Sequence, residues 1–288
     1  MVNWPKDLVR DIARRRCVLV VGSGVSRQAV GNGGARPPTW DGFLREANQE
    51  LQGGAQKHVT DAINEGDLLN ACEWLQRKYQ HLWTGRLRAA FSAPKFAPAE
   101  VHKTIGKLDT RIIFSLNFEN ILDVALQEVH GGTCVTKRYY DNGVAEFLRG
   151  TERYLVKVHG SLDETSRLIF TQRQYAEARI AAAPFYNAFD SALMTHTFLF
   201  VGAGYRDPDI NLVLENQNFT YSEVHPHYFL AATGLHDDLK SSLRANRNLQ
   251  VIEYEKLDDD HAGLPKALEE LLELVEAERQ ELSRSLEW

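Results

Sequence analysis

Four places in the chain put reactive or ligand-facing residue types at the end of an apolar run. In "RYLVKVHGSLDE" (153–164), His159 follows Tyr154, Leu155, Val156 and Val158 and precedes Gly160 and Ser161. An imidazole titrates near neutral pH, so it can take a proton from a water or a hydroxyl. Asn117 closes "RIIFSLN" (111–117), with Glu119 two residues on. A primary amide donates and accepts at once, so it fixes a hydroxyl and a water without adding charge. Gly22, Ser23, Gly24, Val25 and Ser26 follow "CVLVV". Gly22 and Gly24 permit a tight turn and close backbone approach to a ligand, and the amides beyond them can face a diphosphate. The spacing falls short of the full dinucleotide fingerprint, because position 27 is Arg. Gly202, Ala203 and Gly204 close "FLFVGAG" (198–204), and Asp207 follows.

Taken singly, each has a bland explanation. A lone histidine at a strand tip is more often a hydrogen-bonded structural residue, and an asparagine before a helix is more often its cap. Convergence shifts the reading: four strand ends supply small or polar groups to one edge, where a nucleotide would lie.

The elements that must position them are legible as alternation. Apolar runs recur at 17–22, 111–117, 154–160, 198–204, 227–232 and 249–254. Most are near-continuously apolar, as parallel strands buried on both faces are. Helical spacing lies between them. "NFENILDVALQEV" follows the second run, and "DPDINLVLENQ" follows the fourth with Asp207 as N-cap and Pro208 in its first turn. This predicts an α/β fold, a doubly wound Rossmann-like parallel sheet of about six strands. In such sheets ligands sit at the carboxyl ends of strands, where the strand order reverses.

About ninety residues (23–110) separate the first two strands, far more than a crossover needs. Helical patterns at 39–51, 67–83 and 98–108 predict a helical insertion subdomain over about 39–108. The Rossmann-like core would then occupy about 1–30 and 109–288, the whole of 1–288 forming a single domain. "GNGGARPPTW" (31–40) is expected to arch over the ligand side. A long C-terminal helix carries Leu264, Leu268, Leu271, Val275, Leu282 and Leu286 on or near one face. Its first half is expected to dock on the sheet, and its charged second half to be an exposed end or a partner-binding helix.

Composition excludes several classes. The charge balance, 33 − 39 = −6, argues against a broad nucleic-acid surface. No apolar run reaches the length of a membrane span. The charged start lacks a signal-peptide core, so a cytoplasmic protein is expected. Cys17, Cys72 and Cys134 are scattered and form no disulfide framework, and three thiolates cannot make a four-cysteine zinc site. The histidines show no metal-ligand spacing, so no metal is expected. Ser26 has no G-x-S-x-G setting. The "ARRRC" cluster (13–17) reads as the solvated end of a helix, where cations are favoured.

"GSGVS", "SLNFEN", "KVHGS" and "VGAGYRDPDI", in this order and at these spacings, resemble the sirtuin-like superfamily, and most closely its bacterial SIR2-like NAD-hydrolase domains of anti-phage defence. The resemblance runs from about Cys17 to Leu272. It implies that Gly22, Ser23, Gly24, Val25 and Ser26 surround the diphosphate of NAD⁺, which is substrate rather than cofactor. It implies that Asn117 orients the nicotinamide ribose or the attacking water and that His159 is the general base. Ser161 would join the binding site, Gly202, Ala203 and Gly204 would line the adenosine ribose, and Asp207 would stabilise that loop or the ligand. The family often has Thr-Asn-Tyr-Asp where this chain has Leu116-Asn117-Phe118-Glu119, which leaves the role of Glu119 open. The missing zinc cysteines of sirtuin deacylases favour plain NAD⁺ cleavage.

The chemistry suits these residue types. Nicotinamide leaves readily because its ring nitrogen is cationic in NAD⁺, and its departure leaves an oxocarbenium-like ribose. The protein must hold the ribose, exclude bulk water, and present one water or one ribose hydroxyl to a base. Within the resemblance, Gly160 has its own reason: a side chain there would crowd the ribose. A nucleotide sensor that binds NAD⁺ or ADP-ribose without cleaving it is the alternative, and a deacylase or ADP-ribosyltransferase a more distant one. An NAD-depleting enzyme must stay silent until triggered. The expectation is control through a homo-oligomer or a partner, by analogy a hexameric HerA-type ATPase or an Argonaute-like protein.

Overall fold

The computed structural model describes residues 2–285 apart from 206, 222, 223 and 259 and the side chain of 209. Among the described residues seven strands form one sheet: β1 (Cys17–Val21), β2 (Ile112–Ser115), β3 (Cys134–Arg138), β4 (Arg153–Lys157), β5 (Thr197–Val201), β6 (His227–Ala232) and β7 (Leu249–Tyr254). Their order is β3-β4-β2-β1-β5-β6-β7, and every neighbouring pair is parallel. All six expected strands are present, and β3 is additional. It is an edge strand in which only Cys134 is buried, so "CVTKR" lacks the apolar run that marks the others.

The helices described are α1 (Lys6–Ala13), α2 (Ser23–Ser26), α3 (Trp40–Gln49), α4 (Lys57–Glu65), α5 (Leu68–Tyr79), α6 (Trp83–Phe91), α7 (Glu100–Lys107), α8 (Ile121–Val129), α9 (Gln172–Ala181), α10 (Ala183–Thr195), α11 (Pro208–Thr220), α12 (Asp237–Arg247) and α13 (Gly263–Ser285). Strand periodicity divides the sheet between two layers. Cys17, Leu19 and Val21 of β1 face α1, α7, α8 and α13. Val18 and Val20 face α9, α10, α11 and α12. In that second layer Phe114 contacts Phe147, Phe189 and Phe198 edge to face, with ring centroids 5.2, 5.4 and 6.0 Å apart.

Helices α3, α4, α5 and α6 build a third apolar cluster with Phe118, Leu162, Leu168 and Phe170, which belong to the loops after β2 and β4. Trp40 stacks on Phe170 at 4.7 Å, and Phe91 meets Phe118 edge-on at 4.8 Å. The inserted helices are therefore seated on the strand-tip loops by aromatic side chains placed one residue after Asn117 and eleven after His159.

The tail differs from expectation in its second half. Val275 and Leu282 are buried in the same cluster as Leu8 and Ile12. Arg10 Nε pairs with Glu278 at 3.2 Å, and Arg279 donates to the Leu108 carbonyl at 2.7 Å. The charged second half is thus docked along α1 and α7, its charges lying at the edges of a buried leucine stripe. Leu286 lies outside the described residues. Among the described residues no helix is long and apolar enough to cross a membrane.

Candidate functional site at the strand tips

Register alone brings the candidates together. Val21 of β1 pairs with Ser115 of β2 on one side and Val201 of β5 on the other, and Ser115 pairs with Lys157 of β4. Two residues beyond that row stand Ser23, Asn117, Ala203 and His159. The strand order reverses at β1, between β2 and β5, so this is the switch point at which doubly wound sheets hold ligands.

The two glycine loops clasp each other. The Gly22 amide donates to the Val201 carbonyl at 3.0 Å and the Gly24 amide to the Gly202 carbonyl at 2.9 Å. A Cβ on Gly22 would stand 2.5 Å from Ala203 Cα, and one on Gly202, at φ +59°, 2.7 Å from the Val25 amide nitrogen. Contact between the loops therefore requires these glycines by itself. The Val25 amide is also used internally, on the Gly22 carbonyl at 3.1 Å, so two of the amides expected to face a diphosphate have protein partners. Gly204 is different: a Cβ there would meet nothing within 4 Å.

Asn117 is not a helix cap. Helix α8 starts at Ile121, and the Asn117 amide reaches across to α2, just after β1, donating to Ser26 Oγ at 2.8 Å. Ser26 Oγ in turn bonds Glu119 Oε1. The Ser115 hydroxyl steadies the Asn117 backbone, accepting from its amide at 3.2 Å and donating to its carbonyl at 3.1 Å. Glu119 thus enters the site through Ser26. Burial raises its carboxyl above the ordinary carboxylate range, against the opposing hydrogen bond from Ser26 and the nearby Lys157 ammonium.

Lys157 ties this loop to β4. Its side chain is 1% exposed, and Nζ donates to the Glu119 carbonyl at 2.7 Å and Asn120 Oδ1 at 2.9 Å. It also pairs with Asp123 Oδ2 at 2.9 Å, an ion pair by distance rather than an aligned hydrogen bond. One buried ammonium therefore fixes the loop of Asn117 to the strand of His159.

His159 is 7% exposed. Its Nδ1 lies 3.1 Å from the Leu116 carbonyl, which only accepts, so Nδ1 carries the hydrogen and Nε2 is the nitrogen left to act as base. Nε2 faces Asp207 Oδ2 at 3.2 Å and the Tyr175 hydroxyl at 3.3 Å. Asp207 caps α11 as expected, its Oδ1 accepting from the Ile210 amide at 3.1 Å. Gly160 has φ +88°, and a Cβ there would stand 2.7 Å from the Arg167 carbonyl, so the fold itself requires the glycine that was expected to spare a ribose. Ser161 is buried and caps the following turn, donating to Asp163 Oδ2 at 3.1 Å and accepting from the Asp163 amide at 3.3 Å.

Ser26, Asn117, Glu119 and His159 are buried, whereas Ser23 and Gly204 at the rim are exposed. Cavities of about 370 and 440 Å³ lie elsewhere, one between Tyr139, Tyr140 and α9, the other at the opposite sheet edge beside His196 and His227. The loop around Gly31–Ala35 packs on Pro94 and Ala97, and Arg36 reaches Asp260 at 3.5 Å. Tyr175 and Lys157 were not singled out in the sequence. Lys157 had a signal, a lone charge inside an apolar strand; Tyr175, in the middle of "TQRQYAEARI", had none.

Comparison with known proteins follows the same outline. Residues 111–252 match the family described as SIR2-like domain, a span that holds Asn117, His159, Gly202 and Asp207. The chain is 23% identical over 209 residues, 72% of its length and 40% of the relative's, to "NAD(+) hydrolase ThsA" of Acinetobacter baumannii. It is 23% identical over 229 residues to the protein of that name from Bacillus cereus, covering 78% of this chain and 45% of the relative. The chain thus spans less than half the length of these curated relatives. The sheet and its switch point agree with this match to the SIR2-like domain family over residues 111–252.

Proposed function

We propose that the chain hydrolyses NAD⁺ at the nicotinamide–ribose bond, giving nicotinamide and ADP-ribose, as an NAD-depleting effector of anti-phage defence. The observation that carries this reading is the placement of Asn117 and His159 side by side at the switch point, with Nδ1 of His159 anchored so that Nε2 is the base. The names of the relatives support the same substrate. In the reaction the N-glycosidic bond breaks and its electron pair leaves on nicotinamide. A water oxygen bonds the ribose C1′, and its proton passes to Nε2 of His159. Asn117, held from behind by Ser26, keeps its amide oxygen for the ribose or the water. A positioned base of this kind contributes ~10²–10⁴ in rate.

The buried site and the engaged Nε2 support a resting state that must open before it works. In this reading a homo-oligomer or a controlling partner supplies the trigger, a hexameric HerA-type ATPase or an Argonaute-like protein being the candidates. The same burial also favours a second reading, a sensor that binds NAD⁺ or ADP-ribose without cleaving it. Incubation with NAD⁺ and chromatography of the products separates the two. Nicotinamide and ADP-ribose appearing together support the hydrolase; binding without release, in the presence of the native partner, supports the sensor.

A further inference from the structure

Tyr175 of α9 sits at the centre of the site although no motif marks it. It is 5% exposed, and its ring stands edge-on to the imidazole of His159 with centroids 5.4 Å apart. Its hydroxyl lies 3.3 Å from His159 Nε2 and 3.3 Å from Asp207 Oδ2, and those two atoms are themselves 3.2 Å apart. A phenol has one hydrogen to donate, and this one is placed equally well for either neighbour. With Nδ1 committed to the Leu116 carbonyl, Nε2 is the only nitrogen that can receive a substrate proton. In that tautomer Nε2 and Asp207 Oδ2 are both acceptors sharing the one Tyr175 hydrogen, so a substrate hydroxyl or water that donates to Nε2 frees that hydrogen for the carboxylate. At 12% side-chain exposure the Asp207 carboxylate gains from that second donor, beside the Ile210 amide on Oδ1.

We infer, on the NAD⁺ reading above, that Tyr175 is a positioning residue that makes this exchange possible. When the ribose hydroxyl or water donates to Nε2, the Tyr175 hydroxyl turns its hydrogen from Nε2 to Asp207. Tyr175 forms no bond to the substrate; it acts through Asp207 and His159. A tyrosine serving only to pack α9 on the sheet would use its ring and leave the hydroxyl dispensable.

Titration calorimetry with ADP-ribose tests this without requiring turnover. Tyr175→Phe is expected to weaken ADP-ribose binding roughly tenfold, the worth of a hydrogen bond to a charged group, while its thermal melt stays close to the parent's. In an Asp207→Asn background, where no charge needs compensating, the same substitution is expected to change affinity less than twofold. Equal binding by Tyr175→Phe and the parent overturns the inference, as does an equal tenfold loss in both backgrounds. Absence of ADP-ribose binding by the parent, with the native partner present as well as without it, is a different failure: it removes the NAD⁺ reading itself, and the inference with it.

Discussion

The Lys157 ammonium and the Asp123 carboxylate, 2.9 Å apart, form a buried ion pair beneath Asn117, and the same ammonium bonds two further groups of the Asn117 loop. Removing one partner of such a pair leaves the other charge uncompensated. Lys157→Met is expected to cost about 3 kcal/mol or more of stability, read from urea denaturation. The double variant Lys157→Met/Asp123→Leu should recover most of that loss, because an apolar pair replaces two desolvated charges. It should not recover NAD⁺ cleavage, since the loop carrying Asn117 is no longer tied to the strand carrying His159. A double variant with full activity would show that the tie is dispensable.

The glycines separate fold from ligand contact. Gly22→Ala and Gly202→Ala place a Cβ 2.5 and 2.7 Å from backbone atoms of the opposite loop. Each is expected to lower stability by about 1–3 kcal/mol, Gly202 also because its φ of +59° disfavours alanine. Gly204→Ala meets no neighbour within 4 Å and should leave the melting temperature unchanged. If Gly204 lies against the adenosine ribose, that same variant weakens ADP-ribose binding; unchanged affinity would remove Gly204 from the binding surface.

Two buried histidines set an acid limit on stability. His102 and His227 have pKa values pulled from 6.5 down to about 4 by burial. Each Nδ1 accepts a backbone N–H, from Ala99 at 3.1 Å and Phe198 at 3.2 Å, so protonation would also remove an acceptor. The unfolded chain binds these protons first as pH falls, so their contribution is complete above about pH 6.5 and is lost progressively toward pH 4. Between pH 7 and pH 5 the two together should reduce stability by a few kcal/mol, on the order of 2 each. A melting temperature constant over that interval would contradict this.

Legibility in the sequence followed burial. The five inner strands announced themselves because both faces are covered, and β7 at one edge because it keeps an apolar run, whereas β3 at the other edge buries only Cys134 and lacks one. Asn117, His159 and Asp207 were found because they end apolar runs. Tyr175 was not, because a tyrosine inside a helix carries no periodic or terminal signal. Gly22, Gly160 and Gly202 also answer protein contacts that stayed hidden, because a one-dimensional pattern cannot tell a backbone neighbour from a ligand. The docking of the tail's second half was hidden because its leucines are spaced among charges, and the partner face, on α1, lies more than 250 residues away in the chain.

The central claim is that His159 and Asn117 together cleave NAD⁺. The direct test is nicotinamide release from NAD⁺ by the parent, His159→Ala and Asn117→Ala, each with an unchanged circular dichroism spectrum, in the presence of the native partner if the isolated protein is silent. The account predicts release by the parent and a loss of at least about 100-fold in each variant. Release by either variant at the parental rate would contradict it.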